Sequence, residues 1–596
     1  MDAAGASRRA VAATADNGST PLGTTVIRCL RSAALGGIAA LLLVATTPAA
    51  AQQDALRARL AELEQGGLVL VDRSPVADGD AVAALYRKRE SRPIWTDAER
   101  IRQLQAAISL AEQHGLNRSD YRPEAVAEAL ALVSKPDGAH AERQAELEIA
   151  LTDSLVRIVD HLRHGKVEPS SVYPDWNFNR RAGQTTDLNQ LAAAIGSGQI
   201  LAAVEHASPQ YPVYKRLLQA LAQYRQLKAD GGWPTVDAAG PKLQPDAVDP
   251  RVVQLRARLK VTGELAVDAP MTDVYDADLV KAVQRFQSRH GLAADGEIGP
   301  RTLTALNMSA AARVDQIRVN LERARWALHE LRETYVVVDI AGYQASYVRD
   351  GKVIWQSRVQ VGQPLRMTPV LKSKFTDIVL NPNWTVPPTV LSKDIIPAAR
   401  KDPHDFHKRN LRILDGDRNE VDPSEVDWSQ YTEKNFPYVL RQDPGPGNAL
   451  GRIKFNFPNK YSVYMHDTPK KAWFDRSERA FSSGCIRVDK PMELAALLLA
   501  DSERWSQEKI KSAIDQGRTR TVVLNRPVPV LILYWTVDVN EQGGILFKRD
   551  VYDQDRLVLQ GMKKPVEFRG NIRTARGALQ PEAPQKEATT REASGA

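Results

Sequence analysis

Tyr464-Met465-His466-Asp467-Thr468-Pro469 is followed, nineteen residues after its histidine, by the cysteine of Ser482-Ser483-Gly484-Cys485-Ile486-Arg487-Val488. A free thiol is only slightly ionised near neutral pH, and a neighbouring imidazole can take its proton to give a thiolate–imidazolium pair. The text places His466 at the end of a predicted strand, Tyr461–Met465, and Cys485 on a glycine-containing turn. Gly484 removes side-chain bulk beside the sulfur, so the backbone N–H groups of Gly484 and Cys485 are candidates to face a developing oxyanion. Pro491 then opens an apolar helix, Met492–Ala500, with Asp489 near its cap, which backs the turn.

The chain has two cysteines, Cys29 and Cys485. Arg28 and Arg31 precede the thirteen-residue apolar run Ala33–Ala45, and Ala49-Ala50-Ala51 follows, the pattern of a cleavable secretory signal over residues 1–51. The run falls short of the roughly 20 residues that span a bilayer. Removing 1–51 takes four Arg and two Asp, so the formal charge goes from +8 to +6 and Cys485 becomes the sole thiol. A lone thiol in an oxidising compartment cannot form an internal disulfide, so the expectation is periplasmic export with a functional cysteine. Mild basicity suits an anionic wall polymer, and with no dense Lys/Arg block no nucleic-acid partner is expected.

At 596 residues, 43% hydrophobic and 26% charged, the chain should form about three to five globular units. Residues 52–243 read as a helical scaffold, with Ile101–His114 and Glu146–His164 at helical spacing. Asp160, His161 and His164 imitate a metal cluster, but no further ligand lies nearby in sequence and a structural role is expected. Residues 244–310 form a compact unit whose helix Asp278–His290 presents Leu279, Ala282, Val283 and Phe286 on one face. A linking helix occupies 311–333. Strand patterning dominates 334–560: Tyr335–Ile340, a hairpin about Asp350-Gly351, Arg452–Phe457, Thr521–Leu524, Val528–Val539 and Ile545–Arg549. Residues 385–450, rich in Pro, Asp and Asn, read as a loop-like inserted cap or lid. Residues 561–596 read as a disordered tail. The fold class is therefore multidomain α+β.

The stretch VKAVQRFQSRHGLAADGEIGPRTLTAL resembles the small three-helix peptidoglycan-binding domain. HDT…FSSGCIRV is similar to the catalytic motif of YkuD-domain L,D-transpeptidases, and NALGRIKFNFPNKYSVYMHDTP with LNPNWTVPPTV looks like the large periplasmic YcbB type. Ser483 stands where smaller members carry His, a subtype difference. The resemblance implies a mostly-β YkuD domain in which Cys485 attacks the bond before the terminal D-Ala of a tetrapeptide stem. His466 would act as base and acid, and a diaminopimelate amine would take the acyl group to give a 3→3 cross-link. It also implies carbapenems as covalent inhibitors. Tyr464, Ser483, Arg487 and Trp384 become candidate substrate-side residues. For Tyr464 and Trp384 core packing is the alternative, and for Arg487 an internal pair rather than a substrate carboxylate. No metal or other cofactor is required; His404 and His407, near Asp402 and Asp405, read as solvated loop histidines. Hydrolysis of the same thioester, as an L,D-carboxypeptidase or endopeptidase, and a non-catalytic wall-binding scaffold are the competing functions.

Overall fold

The computed structural model describes residues 48–134, 141–179, 184–403, 406, 409–501 and 503–566. Residues 1–47 of the expected signal, His404, Asp405, His407 and the tail beyond residue 566 lie outside the described residues.

The first half is helical, as its spacing predicts. It runs α1 (Pro48–Glu64), a short hairpin of β1 (Leu70–Val71) and β2 (Ser74–Pro75), α2 (Gly79–Lys88), α3 (Ala98–Gln113), α4 (Pro123–Ser134), α5 (Ala141–His164), α6 (Gln184–Gly196), α7 (Ile200–Ala207) and α8 (Pro212–Ala229). Asp97 caps α3 by accepting the Arg100 N–H at 2.9 Å, satisfying a donor the helix itself cannot pair. The histidines of α5 are structural: His161 Nδ1 meets the Tyr121 hydroxyl and His164 Nδ1 meets Asp160, both at 3.0 Å.

The compact unit comprises α9 (Arg251–Val261), α10 (Ala277–Arg289) and α11 (Pro300–Leu306). Its core begins earlier than residue 244, because Val236 and Leu243 are buried with Leu255, Leu279 and Phe286. The expected linking helix is α12 (Ala310–Ala327), buried along most of its length. It is a spine whose polar side chains pair internally: Glu322 and Arg325, both fully buried, form a 2.8 Å ion pair, and Glu322 also accepts the Val167 N–H at 2.7 Å. Such internal pairing is what lets charges sit in a core.

The β-rich half is built on β3 (Tyr335–Asp339), β4 (Gln344–Arg349), β5 (Lys352–Gly362), β6 (Leu371–Leu380), β7 (Trp384–Thr385), β8 (Arg412–Leu414), β9 (Glu420–Val421), β10 (Val439–Gln442), β11 (Ile453–Asn456), β12 (Met465–His466), β13 (Ala480–Ser482), β14 (Ile486–Val488), β15 (Arg520–Leu533), β16 (Val537–Val539) and β17 (Ile545–Phe547). Nine of these form one sheet in the order β13-β5-β14-β12-β11-β6-β15-β3-β4, and an extra β4–β5 pairing closes it into a barrel. The barrel interior holds Val338, Val359, Phe375, Ile378, Phe455, Met465 and Ile486.

Four expectations change. The expected strands Thr521–Leu524 and Val528–Val539 divide elsewhere: β15 runs unbroken through Pro527, with a register shift between Val523 and Val528, the bulge that a residue lacking N–H tolerates, and the break falls after Leu533, before β16. Tyr461–Met465 is a strand only at its end, because Asn459 ties a turn through Tyr461 and Val463, with Ser462 at φ +54°. The cap is not a loop. β7, β10, β8 and β9 form their own four-stranded sheet over a core of Leu391, Ile395, Phe406, Ile413, Trp428 and Leu440. Finally, the chain past residue 560 continues in a helix, Gln554–Lys563, whose Val558 and Met562 pack against Val167, Val319 and Trp326.

The scaffold and the β-rich half also interpenetrate. Phe178 is 5% exposed within the barrel-side core, Trp176 stacks on it at 4.4 Å, and Asn177 pairs both main-chain groups of Lys372 at 2.8 and 2.9 Å.

Candidate active site

Strand pairing sets the site. His466 on β12 lies opposite Lys454 on β11 and, across the parallel β14, in register with Arg487; Arg487 in turn lies opposite Gln360 on β5. Directly paired residues share one face of a sheet. The row Lys454–His466–Arg487–Gln360 therefore puts a cation on each side of the imidazole.

His466 is 4% exposed, and its Nδ1 lies 2.5 Å from the Asp467 carbonyl oxygen. A carbonyl can only accept, so Nδ1 carries the proton of the neutral ring. Burial, and then Arg487 and Lys454, hold the imidazole down to about 3 against the opposing pull of the Asp467 and Leu450 carbonyls. Asp467 is itself fixed: its Oδ2 accepts the Arg452 N–H at 2.8 Å, and Lys471 Nζ lies 2.7 Å from Oδ1. The close approach of Asp467 leaves no room for a side chain at residue 451, where a Cβ would sit 2.4 Å from Oδ2; Gly451, at φ +62°, is required there.

Cys485 is partly exposed, with Sγ 4.0 Å from the Ser462 carbonyl. Burial of the sulfur raises the thiol above its ordinary value, against the main-chain N–H and hydroxyl of Tyr464 and the charges of Lys454 and Arg487, which all favour the thiolate. Both shifts oppose the expected thiolate–imidazolium pair, so the resting site holds a neutral thiol and a neutral imidazole. Among the described residues no hydrogen bond joins His466 to Cys485; the sulfur faces the Ser462 carbonyl and lies beside Tyr464, whose ring sits 5.6 Å from that of His466.

The nucleophile turn departs from expectation at Gly484. With φ +111°, it directs its N–H to Ser482 Oγ at 3.1 Å, and Ser482 donates to the Cys485 carbonyl at 2.5 Å. Gly484 N–H is thus occupied and does not face an oxyanion. The N–H of Cys485 has no partner among the described residues and remains as the main-chain donor beside the sulfur. Thr368 braces the turn from behind, donating to the Gly484 carbonyl at 2.8 Å and accepting the Gly362 N–H at 2.9 Å.

The other expected residues sort as follows. Tyr464 lies beside both the thiol and Trp384, which stands at the root of the cap on β7; burial and the nearby sulfur raise its phenol above the ordinary range. Ser483 is exposed and accepts from Arg366 Nη1 at 2.8 Å, while both Arg366 terminal nitrogens grip the cap residue Asp394 at 2.6 and 2.8 Å. Arg487 pairs internally, but with an uncharged partner, Gln360 Oε1 at 3.1 Å; its Nε is buried and unpaired. Sequence reading passed over Lys454, Gln360, Ser482 and Arg366. The polar–apolar alternation of Arg452–Phe457 put Lys454 on a polar face, and only strand pairing shows which neighbours that face has.

A cavity of about 380 Å³ adjoins Ser483 and Gly484, walled by Tyr173 of the scaffold, Leu365, Met367, Thr389 of the cap, Tyr461 and Gln554. A larger one, about 570 Å³, lies between α10–α12 and the β-rich half, away from the thiol.

Comparison with known proteins gives three family matches: residues 80–221 with "Scaffold domain", 248–306 with "Putative peptidoglycan binding domain" and 333–528 with "L,D-transpeptidase catalytic domain". A Haemophilus influenzae protein named "Putative L,D-transpeptidase" is 25% identical over 478 residues, covering 80% of this chain and 78% of that one. Among solved structures, an L,D-transpeptidase from Stackebrandtia nassauensis is 15% identical, covering 50% of this chain and 96% of the other at TM-score 0.18. One from Mycobacterium smegmatis is 13% identical, covering 34% and 58% at TM-score 0.16. Superpositions this poor carry no weight beside the sequence matches.

Proposed function

We propose, from the matches of residues 333–528 to an L,D-transpeptidase catalytic domain, 80–221 to a scaffold domain and 248–306 to a peptidoglycan binding domain, that the chain acts in the periplasm to form 3→3 peptidoglycan cross-links. In the first half-reaction Cys485 Sγ bonds to the carbonyl carbon preceding the terminal D-Ala of a tetrapeptide stem. The C–N bond breaks, and the thiol proton travels through His466 to the departing amine. In the second, the side-chain amine of a diaminopimelate residue on another stem bonds to the thioester carbon, sulfur leaves, and His466 carries the amine proton back to it. The Cys485 N–H stabilises the oxyanion in both steps.

A neutral imidazole suits this sequence. It accepts a proton readily only while the anionic intermediate lies beside it, and then gives the proton up to the leaving amine. The observation that carries the reading is the parallel register of β12 and β14, which sets His466 beside the turn that holds Cys485.

The test is incubation of the mature protein with purified disaccharide-tetrapeptide and mass analysis of the products. Cross-linked dimer with released D-Ala is expected, with none from Cys485→Ala; a carbapenem should add its mass at Cys485. Tripeptide without dimer would replace transpeptidation by hydrolysis of the same thioester, and products unchanged in Cys485→Ala would end the proposal.

A further inference from the structure

Between the histidine and the cysteine, the chain makes a short helical turn, Lys471–Asp475, that is pinned from two sides. The Phe474 ring is fully buried, and Arg358 of β5 donates to the Phe474 carbonyl at 3.1 Å and to Asp475 at 2.8 Å. On this fixed turn Trp473 stays half-exposed, and its ring meets the half-exposed ring of Phe481 on β13 edge-on at 5.3 Å. Lys470 Nζ lies 4.6 Å from the centre of the Trp473 ring, and the Arg476 guanidinium lies 5.5 Å from Trp473 and 5.4 Å from Phe481. Two aromatic rings in contact and edged by cations thus form a rigid platform at the surface.

The platform flanks the reaction centre on the outside of the barrel. Val359, Val361, Met465, Ile486 and Val488 turn into the barrel, so alternation turns Gln360, His466 and Arg487 outward, and Cys485 sits at the head of β14. Ala480 also packs inward, while Phe481 beside it lies outside. Only β5 stands between β13 and β14 in the sheet, so the platform is two strand spacings, about 10 Å, from the nucleophile's strand. Farther along the same segment, Glu478 pairs with Arg301 of α11, in the unit matched to a peptidoglycan binding domain, and with Arg549 at 3.1 Å.

On the reading that Cys485 attacks a tetrapeptide stem, on which this inference rests, three residues separate the scissile carbonyl from the sugar that carries the stem. At 3.3–3.6 Å per extended residue that is about 10 Å, the same span as from the nucleophile's strand to the platform. The stem's methyl and carboxylate-bearing side chains offer no flat apolar face, whereas a pyranose ring does: its C–H groups meet the negative face of an aromatic ring. Hydroxyl and acetamido oxygens at the sugar's edge can accept from Lys470 and Arg476, which carry only donors. We propose that Trp473 and Phe481 form a sugar-binding platform that seats the disaccharide at the base of the donor stem. The glycan is then held between the peptidoglycan-binding unit and Cys485, and the stem runs from it to the sulfur.

Two donors separate this from ordinary surface packing: the disaccharide-tetrapeptide and the same tetrapeptide without sugar. The readout is kcat and KM for release of D-Ala. The wild-type protein should favour the disaccharide donor by about five-fold or more in kcat/KM, the usual weight of a ring-stacking contact. The preference should lie in KM, because the sugar is held alike before and during the chemistry. Trp473→Ala should raise KM for the disaccharide donor and change far less on the free tetrapeptide, so that the preference collapses; Trp473→Phe, which keeps a flat ring, should retain most of it. Equal kcat/KM on both donors in the wild type, or equal losses on both in Trp473→Ala, would overturn the sugar platform. Iodoacetamide should alkylate Cys485 at the same rate in all three proteins. If Trp473→Ala differs there, its turn has moved and Trp473→Phe decides, a retained preference supporting the platform and a lost one overturning it. A wild-type protein that releases D-Ala from neither donor would instead refute the transpeptidase reading, and this inference with it.

Discussion

At Cys485 and His466 burial acts on both partners in the same direction, toward the uncharged form, and the flanking cations then push them apart: they favour the thiolate and oppose the imidazolium. The thiol of the resting protein should therefore ionise above the ordinary thiol range. His466, at about 3, stays neutral from pH 5 to 8 and contributes no step there. The expected result is a rate of Cys485 alkylation by iodoacetamide that climbs with pH through the alkaline range, without the plateau near pH 6 that a thiolate–imidazolium pair gives. A plateau of that kind would show that the ion pair forms at rest. The proximity of Cys485 and His466 was legible in the sequence because a glycine turn bearing a cysteine and a histidine ending a strand each carry meaning locally. Lys454 was not, since its role comes from standing opposite His466 across two strands, and the direction of the Gly484 N–H depends on φ +111° and the Ser482 rotamer.

At the scale of elements, the Arg366 side chain joins the cap to the nucleophile turn. Arg366 forks onto Asp394 of the cap and reaches Ser483 with the same Nη1, and the cavity beside the turn opens between Leu365, Met367 and the cap residue Thr389. Arg366→Met keeps the length of the stem and removes every one of these bonds. Since Asp394 is partly exposed, the loss should be about 1 kcal/mol, near five-fold in acylation by the tetrapeptide. Alkylation of Cys485 by a small neutral reagent should change by less than about two-fold, because Arg366 does not touch the sulfur. Equal losses in both assays would mean the turn itself had moved. The cap was misread as a loop for a physical reason: its core is made by a few aromatic residues, Phe406, Trp428 and Phe436, spaced far apart among Pro, Asp and Asn, and such a core leaves neither a 3.6- nor a 2-residue period in the text.

Across the whole molecule, the domains that sequence delimits are not the units that pack. The scaffold was legible from helical periodicity and the barrel from strand alternation, yet both boundaries cut through continuous cores. Phe547 on β17 lies 5.2 Å from Tyr224 of α8 and 5.6 Å from His290 beyond α10, and the Arg313 guanidinium of α12 covers it at 4.3 Å. On the other side, Phe178 sits among catalytic-domain residues, and Trp176 stands edge-on to Trp326 at 5.9 Å. A short irregular segment gives no periodic signal, so nothing in the text marks Tyr173–Phe178 as core. Phe178→Ala in the full chain should lower stability by about 3–5 kcal/mol, the cost of emptying a buried aromatic site, as read from the denaturant midpoint followed by loss of Cys485 acylation. Asp175→Ala, in the same segment but on the surface with Lys460 and Tyr461, should leave the midpoint almost unchanged. A catalytic fragment starting at residue 333 lacks Phe178, Trp176 and Trp326 together, and should melt well below the full chain or fail to fold. A fragment with the melting temperature of the full chain would instead make the barrel self-sufficient and the inserted aromatics a docking contact. The predicted outcome ties the helical half to the site: the segment that packs into the barrel-side core also carries Tyr173, a wall of the cavity beside Ser483 and Gly484.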